Sequence, residues 1–600
     1  SNEVFNIPPK LDPVKKDTQK DPTISIDGKT ALLGDKVYYR VNIDASRLTD
    51  TAYKVWRLGM VDDYDQEYLT LDAKHVEILD ETGRDRTGEF NIQDKDGVLY
   101  AFAKTVDTQI PATGETVPGD PQPDDLKAYS EKTDKDYDPL KDPSIDQSLL
   151  GHTYQVVMPM TVTKVKDGHT VENTATQVTN DKRDKTNTVT NPLKEINPTK
   201  DVTVQVGGDS IDGKSVYLNH TFLYRLDSSI LPPDRAYQTV TDWGGTDQLN
   251  TEYDQYLGNW AVYASRDLYR DGQMLAAKGE KIAGSGFDSS KFGGNLFTVD
   301  ADENGKVTAD ATQAYLDLVS ADNEHEAGWV LYLQCKRIAV ADEVPNTWTE
   351  TINGQPRESN KVVTKTPDMT PSIHLEKVDT PTLKQDGQEQ ADRDDPKQAL
   401  KMDADSIGIT FIITNTSKTD PATGDGAWFK ASDLNLDDST IVGDAHVDMD
   451  SLTYPADWDT LVLKPGESVS VTGTLKGVKE GDTHTDRAIV TGTPLVECAP
   501  SNGDPFNDKT DGGEDTDPEY STGDVTEIDG RQLCADTQTT SNTDDWNGYR
   551  AKPLASTGTA VLGLAGGALA VLLAGGSLLV FRKRHYAQGS GRHTAVNAGK

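Results

Sequence analysis

A repeat along this 600-residue chain constrains its fold more than any other feature of the sequence. The tetrapeptide Ile-Asp-Gly-Lys occurs at residues 26–29 and again at 211–214, each time before an alternating, strand-like run. Each unit closes on a related segment, with Asn187 in the first and Asn360 in the second. The period between these asparagines is 360 − 187 = 173 residues. The chain is therefore predicted to contain two successive copies of one domain.

Both copies, and the region after them, consist of short runs in which β-branched or aromatic residues alternate with polar ones. Lys36–Asn42, His152–Val162 and Trp329–Cys335 are examples, and Gly, Asp, Asn or Pro residues bound them. This period of two predicts strands, and short strands separated by turns predict β-sandwiches. Thr312–Ser320 is one of the few windows with helical periodicity. The predicted fold class is all-β, with sandwich domains in tandem.

An uncharged segment near the C-terminus, Thr559–Phe581, is followed directly by the basic cluster Arg582–Arg584. As a helix, this segment would span about 34 Å, which is enough to cross a bilayer. Positive charge beyond such a span stays in the cytoplasm, so the residues before it are predicted to lie outside the cell. The sequence thus predicts one C-terminal transmembrane helix at 559–581.

A pentapeptide just before this helix consists of Leu554, Ala555, Ser556, Thr557 and Gly558. It resembles the L-P-x-T-G sorting signal of sortase substrates, in an L-A-x-T-G form. The resemblance implies that sortase cleaves between Thr557 and Gly558 and joins Thr557 to peptidoglycan. It therefore implies an extracellular protein anchored to the cell wall of a Gram-positive bacterium, held in the membrane by the C-terminal helix before sorting.

The predicted boundaries follow from the repeat, the composition and this signal. Ser1–Asn6 matches the closing strand of the first copy, so residues 1–15 are predicted to be the last strand of a preceding domain plus a linker. Residues 501–553 are acidic and poor in apolar side chains, which predicts a linker that spans the wall. The predicted units are 1–15, the sandwiches 16–191, 192–367 and 370–500, the linker 501–553, and the sorting signal 554–600.

Acidic residues are spread along the chain and give a formal net charge of −39. This charge excludes nucleic acid as a partner, because phosphate binding needs a basic surface.

Three cysteines are too few for a disulfide-stapled scaffold. Cys498 and Cys534 flank the end of the third sandwich and are predicted to pair in the oxidising exterior, whereas Cys335 is predicted to be a buried free thiol.

The sequence contains no readable catalytic motif: no P-loop, no H-E-x-x-H, no zinc spacing and no Ser/His/Asp order. Asp300–Asp310 imitates a calcium loop, but Ala311 stands where an EF-hand needs a bidentate acid, so a β-turn at Glu303–Gly305 is favoured. We therefore predict that the protein is not an enzyme, and no cofactor is assigned from its motifs.

Residues 1 to about 367 resemble the C-terminal domains of the antigen I/II adhesins of oral streptococci. The stretches that carry the resemblance are Val61–Gln66, Glu195–Val202, Ile211–Lys214, Gln334–Val340, Thr351–Gly354 and Ser359–Asp368. Their order and spacing make the match specific. The resemblance implies immunoglobulin-like β-sandwiches stacked into a stalk, and adhesion to host glycoproteins or to other bacteria. It also implies structural calcium, whose ligands the sequence does not identify.

The resemblance further implies an isopeptide bond in each domain, between a lysine on the first strand and an asparagine on the last. Burial in an apolar core lowers the pKa of such a lysine, and a nearby protonated Asp polarises the asparagine carbonyl. By position, the candidates are Lys16, Asp63 and Asn187 in the first copy and Lys200, Asp242 and Asn360 in the second.

Some alternatives stay open at the sequence level. Lys15 and Asp62 adjoin the candidates of the first copy, and the Asp242 region carries an insertion relative to the family, Gly244–Asn250. In the third sandwich, Lys377 and Asp486 are candidates for another crosslink, although related stalk repeats usually have Asn at the second position.

Two functions agree with these features. The first is an adhesin stalk that displays a binding head and attaches the cell to host glycoproteins or to a partner bacterium. The alternative is a pilin-like subunit that sortase polymerises through a lysine. A polymer would give ladders of high mass on the cell surface, whereas a single adhesin would give one wall-linked band. The sequence identifies neither the ligand nor an upstream head.

Overall fold

The computed structural model describes residues 9–120, 123, 125–380, 384–385, 388–389, 393–500, 503–506 and 525–553 of the chain. The predicted strand at Ser1–Asn6, the sorting signal Leu554–Gly558 and the helix Thr559–Phe581 lie outside these residues. Among the described residues, no helix is long and apolar enough to span a membrane. The chain is a mostly β, multidomain protein built from several antiparallel sheets.

The first sandwich has two five-stranded sheets, with β1 at an edge of one and β3 in the centre of the other. The sheet orders are β1-β2-β12-β4, with β5 also paired to β12, and β15-β14-β3-β7-β6. The strands are β1 (Lys15–Thr18), β2 (Lys36–Asp44), β3 (Leu58–Asp63), β4 (Leu69–Leu71), β5 (Glu77–Asp80), β6 (Phe90–Lys95), β7 (Val98–Ala103), β8 (Thr105–Val106), β9 (Thr108–Gln109), β10 (Thr116–Val117), β11 (Ser144–Ile145), β12 (Thr153–Val162), β13 (Thr170–Asn173), β14 (Ala175–Thr179), β15 (Lys182–Lys185) and β16 (Val189–Pro192), with the helix α1 (Leu126–Glu131).

Alternation along the strands forms the core between these two sheets. In β2, the side chains of Val37, Tyr39, Val41 and Ile43 all point inward and are fully buried. They belong to one apolar cluster with Met60 of the opposite sheet. Because neighbouring residues of a strand face opposite sides, a shift of one residue decides whether a side chain enters this core.

The second sandwich repeats this arrangement, with sheet orders β17-β18-β26-β20-β23 and β24-β25-β19-β28-β29. Trp329 of one sheet packs against Trp243 and Trp348 of the other, with ring centroids 6.2 and 5.7 Å apart. Its elements are β17 (Thr199–Thr203), β18 (Thr221–Asp227), β19 (Trp243–Gln248), β20 (Asp254–Ala264), β21 (Leu268–Arg270), β22 (Gln273–Ala276), β23 (Lys281–Gly284), β24 (Phe297–Ala301), β25 (Lys306–Ala311), α2 (Gln313–Ala321), β26 (Trp329–Arg337), β27 (Ala341–Asn346), β28 (Trp348–Ile352), β29 (Gln355–Glu358) and β30 (Val362–Thr366).

The third sandwich has sheet orders β31-β35-β40-β38 and β34-β46-β41-β37, with β45 also paired to β41. Its strands are β31 (Ile373–Thr380), β32 (Lys384–Gln385), β33 (Gln388–Glu389), β34 (Leu400–Lys401), β35 (Ser406–Asn415), β36 (Phe429–Lys430), β37 (Asn435–Val442), β38 (His446–Val447), β39 (Val462–Leu463), β40 (Ser468–Lys476), β41 (Thr483–Gly492), β42 (Leu495–Glu497), β43 (Thr526–Ile528), β44 (Arg531–Ala535), β45 (Thr539–Thr540) and β46 (Asp544–Tyr549).

This topology corrects two predicted boundaries. The predicted linker 501–553 contains four strands, of which β45 and β46 join a sheet of the third sandwich, with β46 between β41 and β34, while β43 and β44 form a separate sheet with β42. The acidic composition of that segment predicted a solvated linker, but its Trp546 is fully buried in the core of the third sandwich. The first sandwich likewise begins one residue earlier than predicted, with Lys15 on β1.

Covalent and polar contacts join neighbouring parts of the chain. Cys498 and Cys534 form a disulfide with a Cα–Cα distance of 4.9 Å, and Cys335 is free and buried in the second core. Between the first two sandwiches, the Tyr237 hydroxyl donates to the carbonyl oxygen of Lys36 at 2.7 Å. The sandwiches therefore contact one another as well as following one another along the chain.

Segment 503–506 also connects the third sandwich with the second. Phe506 is 2% exposed and packs with Leu223 and Tyr332 of the second sandwich. The side-chain amide of Gln334 donates to the carbonyl oxygen of Gly503 at 3.1 Å. The chain thus returns to the second sandwich before completing the third.

The correction at β46 leads to a stability prediction. We expect Trp546→Ala to lower the free energy of unfolding of the third sandwich by about 3–5 kcal/mol, because it leaves a cavity in a closed core. Hydrogen exchange of peptides from residues 393–500 would measure the effect separately from the other sandwiches. Tyr454→Ala, at a side chain that is 44% exposed, is the control and should change stability by less than about 0.5 kcal/mol. An equally small effect of Trp546→Ala would place β46 outside the sandwich.

Candidate functional site

Each of the first two sandwiches buries a lysine side chain against an aspartate carboxylate. In the first, the Nζ of Lys15 on β1 contacts the Oδ2 of Asp62 on β3, and both side chains are inaccessible to solvent. In the second, the Nζ of Lys200 on β17 contacts the Oδ2 of Asp247 on β19. In both sandwiches, the pair joins an edge strand of one sheet to the central strand of the other.

An aromatic ring lies beneath each lysine. The Nζ of Lys15 is 4.7 Å from the ring centroid of Tyr39, and the Nζ of Lys200 is 4.5 Å from that of Tyr224. The second site continues into a polar network, because the Tyr224 hydroxyl donates to Asp254 at 2.8 Å and Arg337 pairs with Asp254 at 2.9 Å. The rings exclude water from the amines while their π-faces tolerate the positive charge.

Burial dominates the electrostatics of both lysines. Desolvation lowers the pKa of Lys15, and the adjacent charge of Asp62 only partly offsets this effect. Desolvation also lowers the pKa of Lys200, with Asp247 opposing it. A lysine with a lowered pKa more readily supplies a neutral amine, which is the nucleophilic form.

An asparagine accompanies each pair at an equivalent position. Asn173 is 1% exposed and Asn346 is 6% exposed. In strand pairing, Asp62 lies opposite Ala175 and Asp247 lies opposite Trp348, so each asparagine precedes the partner residue of its aspartate by two residues. Each asparagine is the last residue of its own strand, β13 or β27, and a single residue separates it from the start of the strand that pairs with that of the aspartate.

These buried amides lack the partners that burial normally requires. No well-formed hydrogen bond reaches either polar atom of the Asn173 side chain or the Nδ2 of Asn346. The Asn173 amide does interact with the hydroxyl of Tyr39, whose pKa burial raises. A buried amide with unused hydrogen-bonding capacity is costly, and a catalytic role is one of the explanations for such a group in a native protein.

Three residues predicted for these sites lie elsewhere. Lys16 and Asp63 are exposed, because the strand alternation turns them away from the core and their neighbours Lys15 and Asp62 into it. Asp242 precedes β19 and accepts a hydrogen bond from the backbone amide of Gly354 at 3.0 Å. The carboxylate beside Lys200 is that of Asp247, within the stretch recognised as an insertion in the sequence.

The two predicted asparagines serve a different structural purpose. The Asn187 side chain accepts a hydrogen bond from the backbone amide of Lys15 and donates one to its carbonyl oxygen, both at 2.9 Å. Asn360 makes the same two bonds to Lys200, both at 2.8 Å. Each amide thus takes the place of a missing neighbouring strand beside an edge strand. We call this pair of hydrogen bonds from one asparagine side chain the edge clamp. Both asparagines are exposed, so neither lies buried beside the amine.

The spacing between lysine and aspartate is a signal in the sequence that identifies the correct carboxylates. Lys15 to Asp62 and Lys200 to Asp247 are both separated by 47 residues. Equal spacing would have selected Asp247 over Asp242. The asparagines are harder to distinguish, because 346 − 173 equals 173, which is the same period as that of Asn187 and Asn360. Only the direction of the side chains separates the buried amides from the clamps.

No group of three or more His, Cys, Asp or Glu residues in the described part of the chain is arranged to hold a metal ion. Residues Phe297–Ala301 and Lys306–Ala311, on either side of the calcium-like turn, form a β-hairpin. The lysine–aspartate–asparagine clusters are therefore the candidate functional sites.

Comparison with known proteins matches each of the first two sandwiches to a family model. Residues 13–193 match the family model described as cell surface antigen I/II C2 terminal domain. Residues 197–367 match the model described as cell surface antigen C-terminus. These regions are C-terminal domains of the antigen I/II family. The family consists of cell-surface adhesins and is not enzymatic, in agreement with the sequence-based prediction.

Individual relatives cover only parts of the protein. A curated relative named aggregation substance, from Enterococcus faecalis, is 30% identical over 324 residues, which are 53% of this chain and 21% of the relative. The C-terminal domain of the Streptococcus pyogenes antigen I/II-family protein AspA is 24% identical, with a TM-score of 0.45. That of the Streptococcus agalactiae polypeptide BspA is 19% identical, with a TM-score of 0.43. Each match covers 59% of this chain and 99% of the solved chain.

The edge clamp in the two antigen I/II domains leads to a prediction. We expect Asn187→Ala to speed hydrogen exchange of the Lys15 amide about tenfold, because loss of its two hydrogen bonds corresponds to about 1.4 kcal/mol. Hydrogen-exchange mass spectrometry of the peptide containing β1 measures this change.

Asn360→Ala provides the matched control for this experiment. It should leave exchange at β1 unchanged and speed exchange at β17, because Asn360 binds the backbone of Lys200 alone. Unchanged exchange at Lys15 in Asn187→Ala would contradict the clamp.

Proposed function

We propose that this chain forms the C-terminal stalk of a Gram-positive adhesin, covalently anchored to the cell wall by sortase. Its antigen I/II domains place it at the cell surface. The pentapeptide Leu554–Gly558, the uncharged segment after it and the basic cluster 582–584 support anchoring to peptidoglycan. The stalk holds a binding region away from the wall and so mediates attachment to host glycoproteins or to other bacteria. The enterococcal relative named aggregation substance supports contact between cells.

The proposal includes immunoglobulin-like sandwiches that are reinforced by internal isopeptide bonds. The observation that carries it is the repeated buried cluster of Lys15, Asp62 and Asn173, with its counterpart Lys200, Asp247 and Asn346. This assignment leaves out five residues that the sequence predicted for the crosslinks, namely Lys16, Asp63, Asp242, Asn187 and Asn360. The amine, the carboxyl and the amide are the three groups that transamidation requires, and the apolar core excludes competing water.

The reaction conserves atoms and protons without a cofactor. The Lys15 ammonium passes a proton to Asp62, and its neutral Nζ attacks Cγ of Asn173 while the Asp62 carboxyl donates a hydrogen bond to the amide oxygen. Asp62 then transfers a proton from the attacking nitrogen to the departing amide nitrogen. A C–N bond forms to Nζ, the original C–N bond breaks, and ammonia leaves. Lys200, Asp247 and Asn346 react in the same way.

Such a bond would close most of each sandwich into a ring. The residues that it joins are separated by 173 − 15 = 158 positions in the first domain and 346 − 200 = 146 in the second. A pulling force along the chain would then pass from the first strand through the crosslink toward the domain's end, so the strands between would not extend. This property suits a stalk that bears load between a wall anchor and a bound surface.

Peptide mass spectrometry of the full chain tests the crosslinks. We expect a peptide containing Lys15 to be joined to one containing Asn173, with a mass one ammonia below their sum, and the same for Lys200 with Asn346. Lys15→Ala should abolish the first crosslink, whereas the neighbouring Lys16→Ala should retain it, because Lys16 faces solvent. Detection of separate, unmodified peptides in the unsubstituted chain would refute the bonds.

The wall anchor requires its own test in the producing bacterium. We expect the native protein to be released from purified walls only by enzymes that cut peptidoglycan. Thr557→Ala should move it to the membrane or the medium, because it removes the threonine that the sorting signal requires. Ser556→Ala is the matched control and should remain wall-bound, since the signal tolerates any residue there. A ladder of high-mass bands would instead support the pilin-like alternative.

A further inference from the structure

The third sandwich, outside both family matches, contains a more strongly charged version of the same cluster. The side chain of Lys377 on β31 is fully buried and lies between two carboxylates. Its Nζ contacts the Oδ2 of Asp438 on β37 and lies 2.7 Å from the Oδ1 of Asp486 on β41. The ring of Phe411 lies beneath the amine at 5.4 Å, as the tyrosines do in the other sandwiches.

Strand register assigns a distinct position to each carboxylate. Asp438 lies opposite Ala488, so Asp486 precedes the pairing partner of Asp438 by two residues. Asn173 has the same relation to Asp62, and Asn346 has it to Asp247. Asp438 therefore occupies the position of the aspartate that contacts lysine in the other sandwiches, and Asp486 occupies the position of the buried asparagine.

The edge clamp is also present in the third sandwich. The Asn542 side chain accepts a hydrogen bond from the backbone amide of Leu375 at 2.8 Å and donates one to its carbonyl oxygen at 2.9 Å. Ser541 accepts a hydrogen bond from the backbone amide of Val490, just as Ser359 does from Trp348. The clamp binds the first strand two residues before the buried lysine rather than at it. The third sandwich therefore shares the architecture that surrounds the clusters of the first two.

We propose that Lys377 and Asp486 condense to form an intramolecular amide bond in the third sandwich, with Asp438 relaying the proton. The product would be a third covalent tie in the stalk, formed from a carboxyl instead of a carboxamide. It releases water where the other two sites release ammonia. This inference does not depend on crosslinking at Lys15 or Lys200, because its groups lie in a separate core.

The reaction balances from the ion pair alone. Asp438 accepts a proton from the Lys377 ammonium, and the neutral Nζ attacks Cγ of Asp486 to form a C–N bond. Asp438 returns the proton to an oxygen of Asp486 and then relays a second proton from the former ammonium to the same oxygen. The C–O bond breaks, the oxygen leaves as water, and Asp438 recovers its starting state. One ammonium and one carboxylate thus become one amide and one water molecule.

Burial gives a physical reason for this condensation. Three ionisable groups in a closed core carry a heavy desolvation cost. The single positive charge of the lysine cannot offset this cost for two carboxylates. Amide formation removes two charges and leaves Asp438 alone. Desolvation raises the pKa of Asp438 to about 6, which suits a group that exchanges protons near neutral pH. The nearby His484, whose Nε2 lies 3.2 Å from the Oδ2 of Asp486, provides a second polar neighbour on the acceptor carboxyl.

The test is peptide mapping of the full chain by mass spectrometry. We expect a peptide containing Lys377 to be linked to one containing Asp486, one water lighter than their sum, with Lys377 resistant to trypsin. Fragment ions identify the acceptor. A link from Lys377 to Asp438 would overturn the assigned roles, and unlinked Lys377 and Asp486 peptides would overturn the proposal altogether. Because this readout uses the unsubstituted chain, it does not depend on the folding of any variant.

Substitution of the acceptor provides a sharper comparison. Asp486→Asn should convert the third site to the chemistry proposed for the first two, with loss of ammonia. Condensation of lysine with Asp or with Asn gives the same amide, so the linked peptide should have the same mass in this variant and in the unsubstituted chain. Asp438→Ala should prevent the link, with circular dichroism confirming the fold. An undiminished link in Asp438→Ala would refute the relay.

Results at the three sites are independently informative. Loss of the Lys377 link with Lys15 and Lys200 links intact would refute this inference and leave the proposed stalk chemistry standing. The reverse pattern would refute the chemistry of the antigen I/II domains alone.

Discussion

A lysine ammonium placed in an apolar core is unstable unless an opposite charge accompanies it, and this constraint organises all three sandwiches. In each, the lysine comes from an edge strand of one sheet, and the carboxylate comes from the facing sheet. The pair can form only when the two sheets are packed face to face in the correct register. The same contact therefore reports correct folding and brings the reactive groups together. A one-residue slip of β1 would place Lys16 in the core and Lys15 in water, and it would turn Asp17 out as well.

The edge strand that supplies each lysine has its own structural support. Asn187, Asn360 and Asn542 bind both backbone polar groups of a residue on that strand, which otherwise has a neighbour on one side only. The amide group is suited to this position because it presents a donor and an acceptor at the spacing of a peptide unit. Holding the backbone in place also fixes the direction of the lysine side chain. Each clamp thus contributes to the geometry of the buried cluster without entering it.

Much of this architecture could be predicted from the sequence. The repeat of the Ile-Asp-Gly-Lys turn and the alternation of residues indicated tandem β domains, and the candidate helix Thr312–Ser320 corresponds to Gln313–Ala321 in the structure. The buried groups were harder to predict, because Lys15 and Lys16 are chemically identical and differ only in the direction that the strand gives them. The C-terminal boundary of the third sandwich was hard to predict for a related reason. Average composition described residues 501–553 as a linker, whereas the burial of Trp546 depends on one side chain and its register.

The disulfide between Cys498 and Cys534 has a consequence for a protein exposed to proteases. It bridges two positions 36 residues apart, and the chain completes its third sandwich only after the second of them, with β46. A single cut of the backbone anywhere between the two cysteines would leave both fragments joined through sulfur. The C-terminal fragment would also keep β46 between β41 and β34 in the same sheet. A nicked molecule would therefore remain one covalent object, and the upstream sandwiches would not be shed from whatever holds its C-terminus.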